Sequence, residues 1–203
     1  MVRLEAGGAA ALEATERFNG SVGAEIKDAF ARMDRSRLKE VIESLYVGAL
    51  TGLAIAEVSL EGVESPEGPL TIRWSGRAPA LGRADGEGMQ VERAGLPLQL
   101  GMRLATVAAR TQPLLLPEAI DQVRRVRLVP PEGLVATPAA EVRLDTPFGS
   151  YRRAERSEGG ALLTEERVRV PLARISPEAF PAFAAFAAAV DAAQARVVVL
   201  APP

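Results

Sequence analysis

The chain has 203 residues, of which 48% are hydrophobic and 25% are charged, and its formal net charge is −2. This composition is typical of a globular protein with a sizeable core, and the slightly acidic balance argues against a nucleic-acid-binding surface. The sequence contains no cysteine and no histidine. Disulfides, thiolate nucleophiles, histidine general bases and metal sites built on Cys or His are therefore excluded.

The first fifty residues predict a β-hairpin followed by two helices. Residues 1–20 alternate apolar and polar side chains around Gly7-Gly8, as the strands of a hairpin do. Apolar residues then recur at helical spacing over 21–33 and 36–47, with Ser21 and Ser36 as candidate N-caps. Two amphipathic helices in succession predict a helical hairpin that lies on a sheet.

From residue 53 onward the apolar period changes to two, which predicts a half-solvated antiparallel sheet. Strict alternation from 53 to 60 places Val58 and Leu60 on one face and Ile55 on the other. Further strands are expected at 70–75, around 89–91, and near 112–116, 122–129, 139–145, 149–157 and 161–172. The segment 61–69 reads as a loop, and 98–109 fits either a strand or a short helix.

The C-terminal segment predicts one more helix and one more strand. Phe180, Phe183, Phe186 and Val190 form an apolar stripe, and the helix is expected to begin around Pro181, because proline lacks the N–H of an interior position. The closing run 197–200 is apolar throughout and predicts a central strand buried on both faces. The helix is then the element that brings this strand back into the sheet.

Together these elements predict a mainly β fold of the α+β class. We expect an antiparallel β-sandwich-like domain with two N-terminal helices and one C-terminal amphipathic helix. It forms a single domain over 1–203, with a candidate sub-boundary near residue 52 between the hairpin plus two helices (1–52) and the β-sandwich with its helix (53–203). No apolar run reaches the roughly 18–20 residues that cross a bilayer, so the chain is predicted not to span a membrane.

Carboxylates are the obvious acid–base groups that remain. Glu165 and Glu166 are the densest pair, but adjacent strand residues point to opposite faces and neighbouring arginines favour the ionised form, so both are predicted at the surface. Asp85 and Glu87 lack the string of oxygen ligands of a calcium loop and predict a plain turn. With no nucleophile–base pair and no glycine-rich phosphate loop, we predict no catalytic residue, no cofactor, no metal site and no enzymatic activity.

The densest basic clusters lie in two of the predicted strands. If those strands are neighbours, Arg124, Arg125, Arg127, Arg152 and Arg153 form a patch that could bind phosphate or an acidic partner. The alternative is an ordinary solvated sheet face on which arginines pair with glutamates of adjacent strands. The sequence thus predicts these five arginines as a partner-binding basic patch.

Three stretches of the second half form a recognisable series: "RTQPLLLPEAIDQVRRVRLVPPEG", "TPFGSYRRAERSEGG" and the terminal helix "SPEAFPAFAAFAAAVDAA". Their order resembles the C-terminal region of bacterial transglutaminase-like proteins, which carry β-rich domains of unknown function around a papain-like core. The resemblance covers about residues 105–200. Activity in that family needs Cys, His and Asp, and this chain has neither Cys nor His. The resemblance therefore implies the accessory β region that follows such a core, either as a segment or as a separately encoded chain; Met1 running directly into a strand favours a segment.

The resemblance implies a non-catalytic structural or binding domain that packs on a transglutaminase-like catalytic domain or binds an envelope protein. It also implies a periplasmic or cell-envelope location, although a cysteine-free chain fits the cytoplasm as well. Three alternatives stay open: an independent protein–protein interaction module that uses a sheet edge or the helices 21–47, a carbohydrate-binding β-sandwich with exposed aromatic rings, and a hydrolase with two carboxylates about 5–10 Å apart. The oligomeric state is left open.

Overall fold

The computed structural model describes residues 1–65, 67–92 and 95–203. Pro66, which falls within the predicted loop 61–69, lies outside the described residues. In chain order the elements are β1 (Val2–Leu4), β2 (Ala10–Phe18), α1 (Gly20–Ala31), a 3-10 turn (Arg35–Arg37), α2 (Leu38–Tyr46), β3 (Ala54–Glu61), β4 (Leu70–Ala78), β5 (Gly82–Asp85), β6 (Gly88–Val91), α3 (Leu100–Leu104), β7 (Leu114–Leu116), β8 (Ile120–Val129), β9 (Val135–Ala136), β10 (Val142–Thr146), β11 (Gly149–Glu158), β12 (Ala161–Val170), β13 (Ala173–Ile175), α4 (Phe180–Gln194) and β14 (Val198–Ala201). The predicted α+β fold, with two N-terminal helices and one C-terminal helix, is confirmed.

Eight strands form one large sheet in the order β10-β11-β12-β8-β1-β2-β4-β3. Neighbouring strands are antiparallel except β1 and β8, which run parallel and pair Val2 with Leu128 and Arg3 with Val129. This contact joins an N-terminal group of strands, β1 to β4, to a C-terminal group, β8 with β10 to β12. Two smaller sheets have the orders β5-β6-β14-β9 and β13-β7.

The two N-terminal helices pack on the inward face of β2, β3 and β4. Phe30 of α1 and Ile42 of α2 are buried in one core with Ile72 and Trp74, as the alternation along β4 requires. Neither predicted N-cap residue, Ser21 or Ser36, occupies the N-cap position. Asn19 precedes α1, and Ser36 donates its backbone N–H to the Asp34 side chain, because an acidic residue two positions before an N–H forms a local turn of this kind.

β3 departs from the predicted strict alternation. Its register with β4 shifts between Ile55 and Glu57, which inserts one extra residue into β3. The extra residue changes the phase of the strand, so that Ile55 is buried in the same core against which Val58 and Leu60 pack. The prediction that Ile55 faces away from Val58 and Leu60 is therefore wrong, and the physical reason is the bulge.

The C-terminal helix α4 covers the inward face of β10, β11 and β12. Tyr151 and Val168 of the sheet are buried against Phe180 and Phe183 of the helix, which begins at Phe180 as the sequence predicts. Near its other end, the Asp191 carboxylate accepts backbone N–H bonds from Leu100 and Gly101, both at 2.8 Å. α4 therefore also positions the start of α3.

The final strand joins the small sheet between β6 and β9 and not the large one. Leu200 is fully buried, whereas Val199 is 54% exposed and Val197 is also exposed. The prediction of burial on both faces is wrong, because one face of this small sheet packs against the core and the other is solvated. Leu200 shares its core with Leu128 and Leu162 of the large sheet, which gives the fold its sandwich-like layer.

Residues on both sides of position 52 share that first core, for example Ile42 and Trp74. A second core lies under α4 and comprises residues from Leu100 to Val190. The single domain over 1–203 with a sub-boundary near 52 stays a prediction. No helix among the described residues is long and apolar enough to cross a membrane.

Candidate partner-binding face

The outward face of the C-terminal strands is covered with charged side chains. Antiparallel register aligns β8, β10, β11 and β12 so that alternate residues of all four strands lie on this face. We call it the arginine face. Its arginines are Arg125, Arg127, Arg143, Arg152, Arg156, Arg167 and Arg169, and its carboxylates are Asp121, Glu141, Asp145, Glu158 and Glu165.

Cross-strand ion pairs order these side chains. Arg125 contacts Glu165 at 2.8 Å, and Arg152 contacts Glu141 at 2.8 Å. Arg167 donates two hydrogen bonds to Asp121, at 3.0 and 2.8 Å. The charges lie in solvent, where such pairs hold the side chains in place more than they stabilise the fold.

The same contacts keep the carboxylates ionised. Hydrogen bonds from Arg125 and Arg152 hold the pKa of Glu165 and of Glu141 below the ordinary range. The hydrogen bond from Arg167 does the same for the pKa of Asp121, with the charges of Arg167 and Arg169 acting in the same direction. None of these groups is therefore tuned toward a general acid at neutral pH.

The charges on this face do not cancel. Its seven arginines outnumber its five carboxylates, which leaves a surplus of two positive charges. Because the whole chain carries −2, the remainder of the molecule carries −4. The arginine face is thus a surface of net positive charge on an otherwise acidic protein, and such a surface attracts negative charge.

The inward face of the same strands holds a buried polar cluster. The Tyr151 hydroxyl donates to the Glu166 carboxylate at 2.9 Å, and Arg124 donates to the other oxygen at 3.3 Å. Arg153 is fully buried, with Nη1 donating to the carbonyl of Ala193 at 3.1 Å and Nε lying 3.5 Å from the carboxylate of Glu155. Its guanidinium sits beside the C-terminal turn of α4, where the helix dipole favours a positive charge.

Three charged residues meet at one level on the inward face of the sheet. In register, Arg153 lies opposite Glu166, and Glu166 lies opposite Arg124. Because the side-chain period of a strand is two, the neighbours of these residues in sequence (Arg152, Glu165 and Arg125) point to the other face. The predicted surface position of Glu166 is wrong, since this residue is 2% exposed.

The structure therefore divides the predicted basic patch. Arg125, Arg127 and Arg152 lie on the arginine face, whereas Arg124 and Arg153 belong to the buried polar cluster. The pairing of β8 with β12 and of β12 with β11 brings the two predicted clusters onto one sheet. The patch also gains Arg143, Arg167 and Arg169, which the density of arginines in sequence did not single out but which the alternation along each strand could have found.

The inward cluster offers little room for a ligand. A cavity lined by Arg124, Thr164, Glu166 and apolar side chains has a volume of about 30 Å³. That volume holds at most a couple of water molecules, so it fits no organic substrate. Within residues 1–65, 67–92 and 95–203, no group of three or more acidic side chains is placed to hold a metal ion.

Two further charged groups, Asp85 and Lys27, have local partners. Asp85 and Glu87 flank the β5–β6 turn, where the Asp85 carboxylate accepts from Gln90 at 2.8 Å. Lys27 donates to the carbonyls of Ser65 and Gly68 and so ties α1 to the β3–β4 loop. A solvated turn and a hydrogen-bonded ammonium group have structural roles.

Comparison with known proteins places the arginine face in a recognised family region. A family model described as a domain of unknown function with a solved structure, DUF3858, matches residues 97–200. The chain belongs to this family. The DUF3858 region contains β8 and β10 to β12, and hence the whole arginine face. The predicted match of about 105–200 to a domain of unknown function is confirmed.

Comparisons with solved structures and with curated proteins do not extend the assignment to the DUF3858 family. A crystal structure described as a "putative protease" from Parabacteroides distasonis matches with a TM-score of 0.46 and 16% sequence identity. The match covers 57% of this chain and 24% of that one, so the matched part is about a quarter of that protein. No curated protein matches the chain.

Proposed function

We propose that the chain is a non-catalytic binding domain that docks through its arginine face onto an acidic surface of a protein partner. The observation that carries this proposal is the charge separation between a positive sheet face and an acidic remainder. Complementary charge accelerates association and fixes orientation, even where single surface pairs add little affinity.

The partner that we propose is a transglutaminase-like, papain-like catalytic domain, or failing that another protein of the periplasm or cell envelope. Support comes from the motif order around Arg110, Tyr151 and the α4 helix, which resembles the accessory region of such proteins. A large flat face on a rigid sheet suits an interdomain contact, since such contacts are more polar than obligate interfaces.

The chemistry of the described residues favours a binding role over catalysis. The carboxylates of the arginine face are engaged by guanidinium groups, and the cavity beside Glu166 has room for little more than water. The exposed-ring platform that a carbohydrate-binding domain needs gains no support either, because Trp74, Tyr46 and Tyr151 are all buried.

A second candidate function is an independent interaction module that uses the N-terminal helices. Leu45 and Val47, at the end of α2, are 54% and 66% exposed, and Val22 of α1 is also exposed. Apolar side chains of this kind favour a partner helix or loop on the α1–α2 surface. Substituting Leu45 and Val47 with serine separates the two proposals, because only the second predicts that binding is lost.

The proposal is tested by mixing the purified chain with a transglutaminase-like catalytic domain from the same organism and measuring the dissociation constant by calorimetry. We expect Arg125→Glu combined with Arg152→Glu to weaken binding by about tenfold or more at low salt, with the wild-type affinity falling as salt rises. Arg32→Glu, directly after α1, is the control, because Arg32 is an exposed, ion-paired arginine outside this face. Equal binding by the double variant and by the wild type would overturn the assignment of the arginine face.

A further inference from the structure

The two edges of the large sheet are protected very differently. At β3, the Glu43 carboxylate of α2 accepts the backbone N–H of Ile55 at 2.7 Å, and Lys39 donates to the carbonyl of Ala56 at 2.5 Å. Together with the bulge, these contacts block that edge against another strand. At β10, no other element among the described residues hydrogen bonds to the backbone of Arg143 or Asp145.

The free backbone groups of β10 can be assigned from its hairpin. Thr146 pairs with Gly149 across a two-residue loop, so these two residues exchange both of their hydrogen bonds. Hydrogen-bonded and non-bonded pairs alternate along an antiparallel ladder, so Val142 and Leu144 direct their backbone groups toward β11. Arg143 and Asp145 direct theirs to the open edge, and their side chains are 64% and 70% exposed.

We propose that β10 pairs with β10 of a second copy of the chain, antiparallel and centred on Leu144. In this register Arg143 lies opposite Asp145 of the other copy, and symmetry repeats the pair with the roles reversed. Both residues present backbone groups to the partner, so each of these pairs can exchange two hydrogen bonds. Opposite charges directly across an antiparallel pair stabilise it.

Neighbouring registers are disfavoured by the same residues. The free backbone groups belong to every second residue of β10, so the pairing of two copies can shift only by two residues at a time. Each such shift moves the centre of symmetry by one residue along the strand. Moving it to Arg143 places Arg143 against itself, and moving it to Asp145 places Asp145 against itself. Like charges directly opposite are destabilising, and the second shift also brings Pro147, which has no N–H, to the ladder. The charge pattern thus specifies both the partner and the register.

The resulting dimer has one continuous sixteen-stranded sheet, since each copy contributes eight strands. The two-fold axis of an antiparallel edge pairing is perpendicular to the sheet, so both arginine faces lie on the same side. The contact is small, and its stability comes from main-chain hydrogen bonds and from the two symmetric ion pairs.

The test is sedimentation of the full chain over a wide concentration range, with circular dichroism melting as the check on folding. We expect a monomer–dimer equilibrium for the wild type. Arg143→Asp alone and Asp145→Arg alone each place like charges opposite one another, and each should weaken dimerisation by about tenfold or more. The double variant Arg143→Asp with Asp145→Arg restores opposite charges and should dimerise like the wild type.

A mixing experiment sharpens the assignment. The Arg143→Asp chain and the Asp145→Arg chain each repel their own kind, but they complement one another at both cross-strand pairs, so an equimolar mixture should form a heterodimer. A wild type that stays monomeric at all concentrations would overturn the proposal. A dimer whose dissociation constant is unaffected by the single substitutions would equally overturn it, as would a double variant that dimerises no better than the single ones.

Discussion

Neighbouring arginines on β11 have opposite environments. Arg152 lies on the arginine face with its side chain 56% exposed, whereas the side chain of Arg153 is fully buried. Two nitrogens of Arg153, Nε and Nη2, have no hydrogen-bond acceptor among the described residues, although Nε lies near the carboxylate of Glu155. With this few hydrogen bonds, the buried guanidinium acts mainly as a countercharge for the Glu155 carboxylate.

Replacing Arg153 with methionine is therefore expected to lower the free energy of unfolding by about 3 to 5 kcal/mol, because the substitution removes one member of the buried ion pair with Glu155. Urea denaturation measures the effect. The matched control is Arg152→Met on the adjacent residue, which should leave the unfolding free energy almost unchanged because its ion pair with Glu141 is solvated. Equal losses for the two variants would contradict the assignment of faces along β11.

At the scale of single elements, β3 shows how a strand is adapted to a helix. The bulge at Ile55 leaves a backbone N–H and a carbonyl that β4 does not bind, and Glu43 and Lys39 of α2 take them up. Across from it, Gly76 of β4 leaves the space that the displaced backbone occupies. A Cβ at position 76 would lie 2.6 Å from the carbonyl oxygen of Ala54.

Gly76→Ala is accordingly expected to destabilise the fold by about 1 to 3 kcal/mol, since backbone atoms must move to admit the methyl group. Thermal or urea unfolding checks the change. Gly48→Ala serves as the control, because a Cβ at that position would meet no atom within 4 Å. A Gly76→Ala protein as stable as the control would mean that the bulge can relax without cost.

The buried helix α4 offers a second test at this scale. The side chain of Phe183 is fully buried, and its ring contacts the rings of Phe148 and Phe180. Truncation to alanine is expected to cost about 3 to 5 kcal/mol of unfolding free energy, through lost burial and the cavity left behind. Ala188→Ser, on the exposed side of the same helix, is the control. A loss well below one kcal/mol for Phe183→Ala, on the scale of ordinary surface substitutions, would contradict the packing of α4 on the sheet.

For the whole molecule, the sequence predicts the class of fold and most strands, because apolar alternation is local and survives in β4 and over most of β12. It does not predict the β3 bulge, which depends on side chains from α2, or the parallel contact of β1 with β8, which joins residues far apart in sequence. Of the seven arginines on the candidate face, clustering in sequence located three, Arg125, Arg127 and Arg152. Clustering ignores that strand neighbours face opposite ways, so it also included Arg124 and Arg153.

The charged face also predicts how stability depends on pH. Asp121, Glu141 and Glu165 have pKa values held low in the folded state, mainly by hydrogen bonds from arginines, so the unfolded chain binds more protons as these groups titrate. Their contribution is present above the unfolded pKa values, near 4, and is lost as the pH falls through the lower folded values. We expect the urea midpoint to decline below about pH 4.5, and to decline less steeply for Asp121→Asn. An unchanged slope in that variant would show that the Arg167 pair contributes nothing.

The charge doublets have a consequence for the information that the sequence carries. On the strand pair β12–β8 both doublets match in register, since Glu166 lies opposite Arg124 and Glu165 lies opposite Arg125. On the pair β11–β12 only Arg153 meets a glutamate, whereas Arg152 lies opposite Arg167. Sliding β11 by a single residue would place both arginines of its doublet opposite glutamates, so charge matching alone does not specify the native alignment. The slide is opposed by the apolar residues that it would expose, such as Tyr151 and Val168, and by the two-residue loop before Gly149. On this strand pair the uncharged residues decide the register.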